Sequence, residues 1–152
     1  MNIIKSYLLL IILASSAACS TSNNSLSEPE YSTAKQSLYV ELGQQATLDK
    51  LVDNLINIIG QDEIIFNHFA DSNVPHFRKE LSIFLCQISD GPCQYDGDTM
   101  EDIHRGMQIN TNQFNHFVEL FITAMDASGI AYRTQNKLLA RLASLRKSII
   151  KI

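Results

Sequence analysis

Four stretches of this chain repeat apolar residues with a period near 3.6, and that pattern leaves room for little except packed α-helices. From Thr47 the positions Leu48, Leu51, Val52, Leu55, Ile56, Ile58 and Ile59 form one broad stripe that stops at Gly60. A second helix is expected to open near Pro75, where a missing N–H costs nothing. It carries Phe77, Leu81, Phe84, Leu85 and Ile88 inward until Asp90-Gly91-Pro92 closes it. A third begins at Asn110, with Gln113 placed to complete a capping box, and buries Phe114, Phe117, Val118, Phe121, Ile122 and Met125 before Gly129. The last runs from about Thr134 through Leu138, Leu139, Leu142, Leu145, Ile149 and Ile150. Strand-like alternation is hard to find, so the fold class is all-α. With 152 residues, 45% of them hydrophobic and 18% charged, the chain can build one globular core. A net charge of -4 and the lack of any basic stripe argue against a nucleic-acid partner.

The N-terminus reads as an address. Lys5 supplies a positive charge, Tyr7 to Leu13 a short apolar run, and Ala14 to Ala18 a set of small residues before Cys19. That order is a secretory signal over residues 1–18, and the apolar run is far shorter than the roughly 20 residues a spanning helix needs. The ending Ser16-Ala17-Ala18-Cys19 resembles a bacterial lipoprotein box, with Ser16 in place of the usual leucine. Cys19 is then lipidated and anchors the exported protein in the membrane; ordinary cleavage near Ala17 or Ala18 is the fallback. In a Gram-negative host, Ser20 fits sorting to the periplasmic face of the outer membrane. Residues 19–36 are polar and aperiodic, a flexible tether reaching roughly 20–25 Å, and residues 37–152 form the globular domain.

Between the second and third long helices lies Gly91 to Met107, a glycine-broken loop leading into one short turn that presents His104 among apolar neighbours. A neutral imidazole beside aromatic-lined helices suits the axial ligation of an iron porphyrin. By itself His104 better suits a core histidine satisfied by a backbone carbonyl. The surrounding chain favours the first reading. All seven phenylalanines lie between Phe66 and Phe121, around the His104 segment, while leucine and isoleucine fill the rest. A flat aromatic guest would account for that partition.

Taken together, Leu38-Tyr39-Val40-Glu41-Leu42-Gly43, Val52-Asp53, Asp62, Phe69-Ala70-Asp71, Gly91-Pro92, Tyr95-Asp96-Gly97, Met100, His104, Ile109 and Phe114 resemble a group 1 truncated haemoglobin. The resemblance covers nearly everything after the tether and implies a two-over-two helical sandwich holding haem b. It implies that His104 is the proximal iron ligand and that Phe69 packs on the porphyrin. Met100, Ile103, Ile109, Phe114 and Phe117 match apolar positions against the ring. Arg78 falls where the family often has a basic residue near a haem propionate; its alternative is a solvated helix face.

Two departures stand out. The family's paired glycines are Gly43-Gln44 and Asp90-Gly91 here, which puts local turn geometry in question. The distal pocket also lacks its usual hydrogen-bond donors: Ile56 stands in place of a tyrosine, and Phe77 and Leu81 occupy facing positions that are often polar. Oxygen should therefore be held weakly relative to carbon monoxide. His76 directly precedes Phe77 and reads as a solvated residue of the helix's first turn, with entry into the distal site as the alternative. His68, His76 and His116 show no zinc spacing.

Cys86 lies about 180° from the centre of its helix's apolar stripe, placed to meet chain folding back after Gly91-Pro92. Export exposes the thiols to an oxidising compartment, and a Cys86–Cys93 disulfide is expected, contributing roughly 2–2.5 kcal/mol on the chain-entropy model. Two function classes follow: a haem globin binding oxygen, carbon monoxide or nitric oxide at the envelope, or a globin-shaped lipoprotein acting as a haem-free interaction module. No catalytic residue is assigned. Nitric oxide dioxygenation comes only with the resemblance, and the physiological gas and any redox partner are not specified.

Overall fold

The computed structural model describes residues 36–150. The leader at 1–18, Cys19 and nearly all of the tether lie outside the described residues. Six α-helices follow one another: α1 (Leu38–Glu41), α2 (Gln44–Ile59), α3 (Val74–Ile88), α4 (Met100–His104), α5 (Thr111–Ala127) and α6 (Tyr132–Ala143). Two 3₁₀ segments, Phe66–His68 and Ser144–Ser148, complete the described elements.

The stripe on α2 organises the packing. Leu48, Leu51, Val52 and Leu55 are fully shielded from water, and α2 packs extensively on both α3 and α5. Leu85, Cys86, Ala124, Met125 and Leu138 close the core from the other three long helices. The α2–α3 pair thus lies over the α5–α6 pair as a two-over-two helical sandwich, with no strand among the described residues. No described helix is long and apolar enough to cross a membrane.

Helix ends follow local chemistry. Asn73 opens α3 by accepting from the His76 amide, and Pro75 occupies the first turn. Asn110 and Gln113 make both bonds of the expected capping box on α5. The last helix is shorter than its apolar repeat suggests. It is α-helical only to Ala143, where the Ser144 hydroxyl donates to the Arg141 carbonyl at 2.8 Å and the chain tightens into 3₁₀ geometry.

Both altered glycine pairs keep left-handed turns. Gly43 has φ 93° and Gln44 φ 61°, so α2 starts at Gln44, three residues before its apolar stripe. Asp90 likewise has φ 61° and is held by Arg141, whose guanidinium also donates to the Ile88 carbonyl. Beyond it, Gly91 has no room for a side chain: a Cβ would lie 2.6 Å from Cys86 Sγ and 2.7 Å from Tyr39 Cδ2.

Cys86 and Cys93 are joined, their Cα atoms 5.8 Å apart. The expected outward position of Cys86 is corrected here: its side chain is fully buried. Tyr39 of α1 and the returning chain at Gly91 cover that face of α3, which a helical wheel drawn for α3 alone leaves bare.

Gln44→Gly should raise stability. A non-glycine residue in the left-handed region costs about 1–2 kcal/mol, of which glycine's extra unfolded-state freedom takes back part. A net gain of about 0.5–1 kcal/mol corresponds to a thermal midpoint roughly 2–4 °C higher. An unchanged or lower midpoint by calorimetry would show that Gln44 sits there without strain.

Candidate functional site

Helix α4 is little more than one turn. Thr99 Oγ1 accepts from the Asp102 amide at 3.1 Å, and Glu101 and Asp102 place negative charge in the first turn. Arg105 folds back to pair with Asp102 at 2.9 Å and Glu101 at 3.7 Å. Hydrogen bonds from Thr99 and Arg105 outweigh slight burial and hold the Asp102 carboxyl below its ordinary range. At the end of the turn, His104 Nδ1 lies 2.6 Å from the Met100 carbonyl. A carbonyl only accepts, so Nδ1 carries the proton and a neutral ring keeps its lone pair on Nε2. The carbonyl contact accounts for one ring nitrogen only, and the ring is half-buried rather than sealed in the core. A histidine with one nitrogen tied to the backbone and the other available as a base is suited to hold a metal.

Four of the seven phenylalanines form a ladder. Phe69 meets Phe77 at 5.1 Å between centroids and Phe117 at 6.5 Å, and Phe117 continues to Phe121 at 6.5 Å. Of the seven, only Phe121 is fully buried, at 4% exposure. By contrast, Leu48, Leu51 and Leu55 of α2 and Leu85 of α3 are all sealed. Ile56, Phe69, Leu81 and Phe117 pack against the core edge while staying partly open. Phe77, Met100, Ile109 and Phe114 are half-buried, with the Arg146 guanidinium 5.2 Å from the Phe114 ring centre. Helix α4 packs on the 3₁₀ segment that carries Arg146. Ile103 is 44% exposed on α4. Apolar side chains together with one basic nitrogen donor are the residue types a flat iron-bearing macrocycle requires.

Arg78 is placed against Asp53 of α2, Nη1 to Oδ1 at 2.6 Å. The approach is close but off-axis, a charge contact more than an aligned hydrogen bond. Arg78 therefore sits neither on a purely solvated face nor free of partners. His76 is exposed in the first turn of α3.

Comparison with known proteins decides the family. The sequence profile of the bacterial-like globins matches residues 37–151. The chain belongs to that family. Among its relatives is a group 1 truncated hemoglobin of Nostoc sp. (strain MUN 8820), 28% identical over 113 residues, 74% of this chain and 96% of that protein. A group 1 truncated hemoglobin of Nostoc commune is 27% identical over the same shares. Among solved structures, truncated hemoglobin from Tetrahymena pyriformis in its Fe(III) form superposes with a TM-score of 0.74 at 22% identity, covering 77% of this chain and all of that one. This globin is a group 1 truncated globin.

One corner of the globin was not visible in sequence spacing. Asp62, which follows α2, accepts from the Ile64 and Ile65 amides at 3.0 and 2.8 Å and from His116 Nε2 at 2.6 Å. His116 lies 54 residues later on α5, so no local motif links the two. Together they brace the chain that leads to Phe69. Burial pushes the Asp62 carboxyl up, but the His116 hydrogen bond, the two amides and the His116 charge outweigh it and hold it below its ordinary 3.8. The same hydrogen bond, opposed by desolvation and helped by the charges of Asp62 and Glu119, lifts His116 above 6.5.

The signs fix a pH window. Stability from the raised His116 is fully present below pH 6.5 and fades as pH climbs through its folded value. Stability from the lowered Asp62 is present above pH 3.8 and fades as pH falls through its folded value. The midpoint difference between the native chain and His116→Ala should be greatest between about pH 4 and 6.5 and smaller at pH 8.5. A difference that grows toward pH 8.5 would contradict the pairing.

Proposed function

We propose that this globin binds haem b through His104 and reversibly holds a diatomic gas at the bacterial cell envelope, to which a lipid on Cys19 tethers it. The observation that carries the reading is the His104 imidazole, its Nδ1 proton engaged by the Met100 carbonyl and its Nε2 lone pair left for a metal. When bound, haem would supply an iron centre able to take up a small gas molecule. The Met100 carbonyl orients the ring and strengthens Nε2 as a donor. Phe69, Phe77 and Phe117 offer flat apolar faces and exclude water, while Met100, Ile109 and Phe114 extend the lining. Arg78 keeps further N–H donors beyond the one turned to Asp53, enough to reach an anionic propionate as well.

The Cys86–Cys93 bond supports export, because structural disulfides persist in oxidising compartments. The lipid anchor and outer-membrane position draw only on residues 1–20. The proposed ligands are oxygen, carbon monoxide and nitric oxide, and the proposed role is binding or sensing without turnover.

Protein purified from haem-replete cells should show a Soret band, and His104→Ala should lose stable haem or hold it in exchangeable form, with imidazole partly restoring the spectrum. Unchanged haem content and an unchanged ferrous spectrum in His104→Ala would falsify the assignment.

Ligand preference follows from Ile56, Phe77 and Leu81, none of which has a hydrogen to donate. Dioxygen in such a site draws negative charge to its outer atom and gains about 1.5–3 kcal/mol from a donor, about ten- to a hundredfold in affinity; carbon monoxide gains far less. Ile56→Tyr should therefore slow oxygen release at least about tenfold while barely changing carbon monoxide binding. Stopped-flow release from the unmodified protein already as slow as in the tyrosine variant would defeat the apolar-pocket argument.

A further inference from the structure

The connection between α3 and α4 has no regular secondary structure from Gly91 to Thr99, yet it is pinned at successive points. Cys93 is bonded to Cys86 on α3. Two residues on, the Tyr95 amide donates to Gln87 Oε1 at 2.6 Å, and the Tyr95 ring stands edge-on to Phe84 at 5.4 Å. Gln87 and Phe84 are both on α3. The chain then wraps round the ring so closely that a Cβ at Gly97 would lie 2.6 Å from Tyr95 Cζ and Oη. Finally the Tyr95 hydroxyl donates to the Asp98 carbonyl at 2.9 Å. Asp98 immediately precedes Thr99, the residue that caps α4 and accepts from the Asp102 amide. One side chain therefore spans from the body of α3 to the residue just before the cap of the turn that ends in His104.

Helix α4 has little of its own to hold it. Five residues make one turn, far below the length at which a helix persists unaided. It has no fully buried residue. Its strongest helix contacts run to the 3₁₀ segment Ser144–Ser148, itself without a fully buried residue. The connection is the tie that runs directly from α3 to α4.

We infer that Tyr95 is a positioning residue for His104: its hydroxyl and ring form a strut that fixes the start of α4 against α3. The inference deepens the proposed function, since it rests on His104 being the iron ligand. Burial of the ring and the neighbouring carboxylates of Glu80, Asp98 and Asp96 hold the phenol above its ordinary range, so it stays a donor at any physiological pH. The strut also gives a reason for the spacing Tyr95-Asp96-Gly97: the glycine is the one residue that lets the chain turn tightly enough for the hydroxyl to reach Asp98.

The test uses the full chain with Tyr95→Phe, which keeps the ring on Phe84 and removes only the hydroxyl. Gln87→Ala removes the other polar anchor and serves as the second variant. Lys137→Ala breaks the Glu41–Lys137 pair between α1 and α6, far along the chain from the strut, and controls for general loosening. Without haem, amide exchange at Asp102 and Ile103, the two amides bonded to Thr99, should quicken about fivefold in both strut variants, the size of one lost hydrogen bond. The α2 amides should not change. With haem, transfer to excess apomyoglobin should quicken by a similar factor, and the ferrous iron–histidine stretching band should shift or broaden. Unchanged exchange in the strut variants, or the same changes in Lys137→Ala, would overturn the inference. So would faster exchange with haem transfer and the stretching band unmoved, because α4 would then be loosened without displacing the ligand. A native chain that takes up no haem defeats the proposed function and the ligand-positioning inference together. Faster exchange in that case would leave only a structural tie between α3 and α4.

Discussion

The fully buried face of α2 is the constraint on which the other helices depend. Leu48, Leu51, Val52 and Leu55 each contribute on the order of 1.5–3 kcal/mol by leaving water, and they do so against α3 and α5 at once. One helix buried on two sides can be sealed only where both neighbours reach it. That happens at the ends bearing Leu85, Ala124 and Met125, which are fully buried. Toward Phe77 and Phe114 the side chains are larger, fewer are shielded, and none of α4 is. The same sandwich thus contains a tight aliphatic part and a more open aromatic part, and the proposed haem contacts belong to the second.

What the core does not hold, polar contacts and one covalent bond do. The corner after α3 is crossed by the Tyr39 amide to the Ser89 carbonyl at 2.7 Å, by Arg141 on Ile88 and Asp90, and by the disulfide. Nearer the start of α2, Gln45, Asp49 and Ser82 form a closed triangle of hydrogen bonds between 2.5 and 2.8 Å. Single exposed pairs of this kind contribute little. Here several converge on one turn, so that each is already positioned by its neighbours and loses less entropy in forming. The left-handed backbone at Asp90 is tolerated at the same corner.

The sequence was most legible where the signal is local. The period of 3.6 located α2, α3 and α5 within a few residues, and Asn110 with Gln113 marked a helix start because both bonds of the box span only three residues. The family motif pointed to His104 and Phe69 for the proposed haem contacts, and the Cys86–Cys93 bond was readable from the chain folding back after Gly91-Pro92. Legibility failed where a distant segment sets the outcome. Cys86 looked outward because the covering residues, Tyr39 and Gly91, belong to other turns of the chain. The end of α6 turned on a serine hydroxyl competing for a carbonyl, a contest that apolar spacing does not register. Gln44 and Asp90 hide their left-handed turns because nothing in either side chain announces φ above zero. His116 and Asp62 are far apart in sequence, and Arg78 finds Asp53 across a helix interface.

The brevity of α4 has a physical consequence. A longer helix carrying His104 would need its own buried face, and no residue of α4 is fully buried. A single turn needs no such face but gives up cooperative helix stability. It must then be held at its ends: by Thr99 at one end, by the Met100 carbonyl on His104 within it, and by Arg105 folding back from the other. All three are side-chain choices at positions open to solvent or half so. In the proposed role, the stiffness of the metal ligand is therefore set by exposed capping residues and the connection before them, and substitutions there tune the site without disturbing the α2 core.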